Sequence, residues 1–336
     1  MKTRTWGGLA AAILVLISPV IQAAYTDVDI LQFALNLECL EAEFYSWVAF
    51  GVGLTADQAG NGNLTKTPSG GVARANGNTF TAGGIAIATE IAQNEIAHVK
   101  FLRTALTAAG ATPIDCPAVS LSPETFTAAA NASVVTAIPG AKLYPGVPDQ
   151  FNPYQREDHF YLAAFIFEDV GVTAYKGAIP NLQNSTYAGA AAGILALEAG
   201  HAATIRGAIP QQASTTGLSY TNGSGTPQPI SFVAAANAIE ALRDALGGTT
   251  AETPIPSLYA ADSSAVAYTR TPSQVLNIVY FGSYQKPGGF FPNGIAGNTA
   301  VTEISGTSMR TCSGASMASL SVLTVAAVAA AAAFAL

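Results

Sequence analysis

The sequence predicts an all-α protein, a four-helix bundle with long loops, a short fifth helix and an irregular carboxy-terminal extension. Four long segments place apolar residues at helical spacing, and Gly- or Pro-rich punctuation ends each of them. No alternation of apolar and polar residues runs long enough to build a sheet. Only 10% of the 336 residues are charged, against roughly 25% in an average soluble domain. The net charge of −7 comes without any basic cluster, which argues against nucleic acid as a partner. P-loop, dinucleotide and nucleophile-elbow motifs are absent, so nucleotide chemistry is not expected either.

The first helix spans residues 27–50, with Leu31, Ala34, Leu35, Ala42, Tyr45 and Val48 along one stripe. Glu38 and Glu41 fall on that stripe, whereas Glu43 points elsewhere. Residues 51–82 read as a long Gly/Asn/Thr loop. A second helix covers 84–109 and stops at Gly110 and Pro113, after which 111–155 is Pro-punctuated with one short helix near 123–133. The third helix, 157–178, is apolar around Glu168 and Asp169 and ends at Pro180; the fourth, 185–208, ends at Pro210. A fifth, 231–246, presents Ile239, Leu242 and Leu246 on one face. Beyond it come a Pro-rich turn at 252–256, a segment at 273–284 and the stretch Lys286-Pro-Gly-Gly-Phe-Phe-Pro. The bundle thus occupies 25–246 and the extension 247–305, and the long second-to-third crossover is the connectivity of ferritin-like bundles.

The two ends read as targeting segments. Lys2 and Arg4 precede a short apolar run that closes on Ala23 and Ala24, the pattern of a cleaved secretory signal peptide over 1–24 rather than a membrane anchor. Residues 318–336 are rich in Ala, Val and Leu. With Ser305, Gly306 and Thr307 and a polar spacer before it, this tail over 306–336 fits a GPI-attachment signal at Ser305. Ser313 and Gly314 are alternative attachment points, and a plain transmembrane tail is the alternative to the anchor. Either way a membrane is the expected partner. Sequons at Asn63, Asn131, Asn184 and Asn222 are compatible with glycosylation in the secretory pathway. Cys39 lies inside a helical pattern and reads as a buried free thiol, with a Cys39–Cys116 disulfide as the alternative.

The chemistry concentrates in the helices. The second contains Glu95-Ile-Ala-His98 and the fourth Glu198-Ala-Gly-His201, each placing Glu and His three residues apart on one face. The first and third add Glu38 and Glu168 on apolar stripes. One Glu from each of two helices plus Glu-x-x-His from each of the other two is the carboxylate-bridged dimetal pattern of helical bundles. Its oxygen and nitrogen donors suit two Fe or Mn ions. Bridging falls to Glu95 and Glu198 by analogy with such bundles. Glu41 is an alternative ligand or a partner behind the ligands. Tyr45 and Tyr175 each follow a candidate ligand by seven residues, and read as core tyrosines or as hydrogen-bond partners of the ligands. Glu90, Gln93, Asn94 and His159 read as surface residues, and Asp169 as a residue that orients a neighbour.

The stretch from Tyr25-Thr-Asp-Val-Asp-Ile-Leu-Gln-Phe through Glu38-Cys-Leu-Glu-Ala-Glu-Phe-Tyr resembles the first helix of desiccation-related proteins of the PCC13-62 type, within the ferritin-like superfamily. The resemblance continues at Phe151-Asn-Pro-Tyr, Asp169-Val-Gly-Val-Thr-Ala-Tyr, Leu197-Glu-Ala-Gly-His, Pro272-Ser-Gln-Val-Leu and Pro287-Gly-Gly-Phe-Phe-Pro, covering about 25–300. It implies a secreted or wall-associated stress protein. Plant members of that group often lack ligands on the third and fourth helices, whereas this chain keeps Glu168, Glu198 and His201. Two functions follow as expectations, a dimetal oxidoreductase acting on peroxide, dioxygen or ferrous iron, or a non-enzymatic protective surface protein, with simple metal sequestration as a third and weaker one.

Overall fold

The computed structural model describes residues 25–60, 80–138, 141–143, 151–212, 219–221, 226–248 and 252–297. The leader, Asn63, Asn222, Ser305 and the apolar tail lie outside the described residues.

Eight helices are present among the described residues: α1 (Asp27–Phe50), α2 (Ala56–Ala59), α3 (Ala82–Ala108), α4 (Pro123–Ala137), α5 (Glu157–Ala178), α6 (Ser185–Ala208), α7 (Phe232–Gly247) and α8 (Pro272–Val279). The four bundle helices are α1, α3, α5 and α6. Thr26 opens α1 with a capping box in which its hydroxyl accepts from the Asp29 amide while Asp29 accepts from the Thr26 amide. Gly51 closes the helix at φ +70°, a left-handed conformation that costs glycine little. Short 3₁₀ turns containing Pro180 and Pro210 end α5 and α6. Strands too short for the sequence to announce form a small antiparallel sheet, β1 (Lys142–Leu143), β2 (Ser219–Thr221) and β3 (Pro227–Pro229), in that order.

Helix α1 packs chiefly on α3 and α5 chiefly on α6, so the bundle is two antiparallel pairs laid face to face. Helices α4 and α7 pack on each other and, through Phe126, Ile239 and their neighbours, join the main core. The carboxy-terminal stretch completes that core. Phe290 and Phe291 are fully buried, with the Phe290 ring 4.9 Å from that of Phe167 on α5 and 5.4 Å from that of Phe126 on α4. Burying each such ring contributes about 2–3 kcal/mol. The turn that delivers them requires Gly289, at φ +54°, where a Cβ would sit 2.5 Å from the Val279 carbonyl oxygen. Asn36 on α1 pins the far end, donating to the Ala296 carbonyl at 3.0 Å and accepting from the Ala296 amide at 2.7 Å.

Two expectations need correction. Cys39 is not a free thiol: it forms a disulfide with Cys116, their Cα atoms 5.6 Å apart. After α3 the chain folds back along α1, held by Gln32, which donates to the Thr112 carbonyl at 2.8 Å and accepts from the Ile114 amide at 3.0 Å. That return path, invisible in the periodicity of α1, brings Cys116 to Cys39. Neither is His159 on the surface. Its Nδ1 accepts from the Asn152 amide at 3.0 Å and its ring stacks on Phe151 at 4.8 Å, so it organises the turn leading into α5. Of the described sequons, Asn131 is exposed on α4, and Asn184 caps α6 by accepting from the Thr186 amide at 2.8 Å.

A second group of charges is buried where α5, α6 and α7 meet. Asp169 accepts from Arg206 at 2.7 Å and from Arg243 at 2.9 Å, and Glu252 pairs with Arg270. Neither carboxyl oxygen of Glu240 has a hydrogen-bond partner. Burial pushes Glu240 up to about 7, against the pull of Arg243 and Arg206 and with Glu252 and Asp169 reinforcing the rise. A carboxyl whose folded-state value is raised contributes stability that is complete below the ordinary value near 4.5 and is lost as pH climbs through about 7. Glu240→Gln should therefore flatten the fall in urea midpoint between pH 5 and pH 8 relative to wild type; parallel slopes would show that Glu240 does not titrate this way. For the disulfide, the 77-residue separation restrains the unfolded chain by about 4.5 kcal/mol in the chain-entropy model. Cys39→Ser with Cys116→Ser should lower unfolding free energy by roughly 2–5 kcal/mol, read by chemical denaturation under non-reducing conditions.

Candidate metal centre

The four bundle helices bring Glu38, Glu95, His98, Glu168, Glu198 and His201 together in the interior, and all six are buried. Helical spacing explains each pair: Glu95 and His98, like Glu198 and His201, lie three residues apart, so both side chains leave the same face. His98 Nδ1 is 3.1 Å from Glu38, 3.3 Å from Glu95 and 3.7 Å from Glu198. On the other side, His201 Nδ1 is 3.1 Å from Glu95 and 3.3 Å from Glu168. The two imidazole centroids are 6.4 Å apart. Two groups result, Glu38/Glu95/His98/Glu198 and Glu95/Glu168/His201, with the Glu95 carboxylate common to both. Glu198 belongs to the first group only.

The tyrosines do more than pack. Tyr45 on α1 donates to Glu168 on α5, and Tyr175 on α5 donates to Glu38 on α1, so the two bonds cross between the helices. Asn94 is likewise not a surface residue, because its amide lies 3.1 Å from His201 Nε2 and leaves Nδ1 facing the carboxylates. The signal for Asn94 lay in its place beside Glu95, on the side of α3 that meets α6. Glu41 is buried beside the cluster, Glu90 and Gln93 are exposed, and Asp169 faces the arginines instead. Glu43, turned away from the cluster, accepts from the Leu54 amide at 3.1 Å and ties down the loop after α1.

Electrostatically the cluster is strained by its own charge. Burial and the neighbouring carboxylates raise Glu41 and Glu198 well above the usual range, and burial also raises Glu168. Burial, with Glu95 nearby, pushes Glu38 up to about 7. Glu95 is the exception: burial opposes its ionisation, but the two imidazoles outweigh this and hold it down to about 2. The imidazoles, in turn, rise to about 10 against the cost of burial because carboxylates surround them.

Hydrogen bonding leaves the donor set incomplete. Glu95 Oε1, Glu168 Oε2, both oxygens of Glu198 and His201 Nδ1 are buried without an aligned hydrogen-bond partner. Leaving such atoms unpaired costs about 1–3 kcal/mol each, more where a group is charged. Convergent carboxylate oxygens and two imidazoles, which would release their protons on binding, fit a metal cation that would satisfy them together.

Comparisons with known proteins agree with this geometry. A family model described as "Ferritin-like domain" matches residues 26–211. A "Ferritin-like catalase Nec2" from Nesocodon mauritianus is 31% identical over 292 residues, covering 82% of this chain and 85% of that protein. A "Desiccation-related protein PCC13-62" from Craterostigma plantagineum is 29% identical over 289 residues, covering 82% of this chain and 84% of that one.

Gly171 on α5 makes room for the cluster, since a Cβ there would stand 2.3 Å from Glu198 Oε2. Gly171→Ala improves intrinsic helix propensity by about 1 kcal/mol, yet displaces the Glu198 carboxylate. The expected outcome is a chain that melts within a few degrees of wild type and takes up less metal under equal loading; unchanged stoichiometry would remove Glu198 from the binding set.

Proposed function

The chain belongs to the ferritin-like domain family, and on that premise we propose that its buried Glu/His cluster binds two iron or manganese ions and dismutates hydrogen peroxide. One observation carries the reading: two Glu-x-x-His faces converge on the single Glu95 carboxylate with their imidazoles 6.4 Å apart. The relative named as a catalase supports peroxide as the substrate, ahead of dioxygen or ferrous iron.

Glu38, Glu95, His98 and Glu198 would hold one ion and Glu95, Glu168 and His201 the other, with Glu95 shared between them. When bound, the pair supplies reversible electron storage. The overall reaction balances as two peroxides giving one dioxygen and two waters. The first peroxide yields two electrons and two protons and leaves as dioxygen; the second accepts them, its O–O bond breaks, and two waters leave. Tyr45 and Tyr175 fix the orientation of Glu168 and Glu38 through the crossed hydrogen bonds. Asn94 fixes the ring of His201. The surrounding apolar side chains exclude bulk water, which strengthens each of these electrostatic contacts.

The leader pattern and the Cys39–Cys116 disulfide support a secretory, oxidising setting. The apolar tail supports attachment to a membrane, by a GPI anchor at Ser305 or as a spanning helix. Similarity to a desiccation-related protein supports a second reading, a protective surface protein that uses the bundle as a scaffold.

Metal analysis separates the two readings. The dismutase reading expects about two Fe or Mn per chain after aerobic, metal-replete expression, together with oxygen release from hydrogen peroxide. Glu198→Ala with His201→Ala should lose both properties while the helical signal in circular dichroism persists. Fewer than about one ion per chain in the wild-type protein would favour the scaffold.

A further inference from the structure

Two small cavities lie end to end along the seam between α1 and α5. The inner one, about 30 Å³, reaches Glu38, Glu41 and Tyr175 at the cluster. The outer one, about 40 Å³, is bordered by Tyr25, Asn181 and Pro272. Ile30, Phe33, Ala174 and Ala178 line both, so the two share walls. Helix periodicity builds this seam. On α5, residues 171, 174, 175 and 178 fall on one face, and three of them are Gly or Ala; on α1, residues 30, 34, 37, 38 and 41 form the facing stripe. The small side chains leave space where the other helix pairs interlock.

We propose that this seam is the route by which substrate reaches the cluster, and that Ala174, which lines both cavities, keeps that route open. The inference rests on the peroxide reading above and adds the path that a small neutral substrate takes to the cluster. A water needs about one probe sphere of occupied space, roughly 10–15 Å³. At about 30 Å³ and 40 Å³ the two cavities accommodate hydrogen peroxide. The walls are mainly apolar, which favours a neutral entrant over an anion. At the inner end stand Glu38 and Glu41, and the phenol of Tyr175 is engaged with Glu38, so the route ends on carboxylate oxygens at the His98 side of the cluster.

Ala174→Leu adds three carbon atoms to a wall shared by both cavities; Ala34→Leu narrows the inner cavity from α1 and serves if the first variant folds poorly. The measurements are metal content, xenon occupancy in crystals under pressure, and turnover of hydrogen peroxide. Apolar cavities of this kind take up xenon, so the route is read without reference to activity. The expected result is xenon in the wild-type seam and none in Ala174→Leu, with metal retained and kcat/KM for hydrogen peroxide lowered at least about tenfold. An empty wild-type seam under xenon, or fully loaded Leu variants with undiminished peroxide turnover, would overturn the route alone. A wild-type chain without metal would overturn the peroxide reading and the route with it.

Discussion

The structure turns on the burial of carboxylates. Glu38, Glu41, Glu95, Glu168 and Glu198 all lie inside an apolar bundle, where two imidazoles and two phenols stand against them. An ionised carboxylate in such a place costs several kcal/mol unless it is paired. The chain's resolution is uneven. Glu95 keeps its charge because an imidazole stands on each side of it, whereas Glu38, Glu41, Glu168 and Glu198 are driven toward holding protons. Cations entering the cluster would replace those protons and complete the unpaired oxygens, so binding and proton release are one event.

Positioning the cluster depends on a second group of buried charges that never touches it. Glu168 and Asp169 are neighbours on α5 and therefore leave the helix about 100° apart. Glu168 turns to His201 and Tyr45, while Asp169 turns to Arg206 and Arg243, and Arg243 also lies over the Phe165 ring at 4.3 Å. Breaking a buried pair of this kind costs about 3–5 kcal/mol, enough to hold α5 in one rotation. Arg206 belongs to α6, so the same contact fixes the helix that carries Glu198 and His201. The low charge content of the sequence is consistent with this economy: many of its few charged side chains are inside and have a structural task.

Much of this was legible from the residues alone. The bounds of α1, α5 and α6 follow from caps, prolines and apolar periodicity, and α3 begins only two residues before the expected start. Six cluster residues were readable because a helix converts sequence spacing into a shared face. What escaped depends on contacts between distant segments. The Cys39–Cys116 bond follows from a chain reversal after α3, the crossed tyrosine bonds from how α1 and α5 face each other, and the burial of His159 from a turn that supplies Phe151. Phe290 and Phe291 sit in a stretch with no periodicity at all, yet both are fully buried, and Phe290 fills the space between α4 and α5.

The internal repeat breaks where the chemistry needs it to. Glu38 and Tyr45 on α1 correspond to Glu168 and Tyr175 on α5, and the crossed hydrogen bonds respect that correspondence. Three residues after each Glu, however, α1 carries Glu41 and α5 carries Gly171. A side chain at 171 would stand 2.3 Å from Glu198 Oε2 and 3.6 Å from Glu41 Oε1, so the glycine yields its volume to carboxylates from two other helices. The same missing side chain helps open the inner cavity along the seam. A fully symmetric repeat would have closed the cluster on both sides. Substituting one carboxylate position with glycine leaves the His98 side crowded with acidic oxygens and bordered by the inner cavity, which touches neither Glu168 nor His201. The two halves of the cluster share a sequence pattern and differ in access.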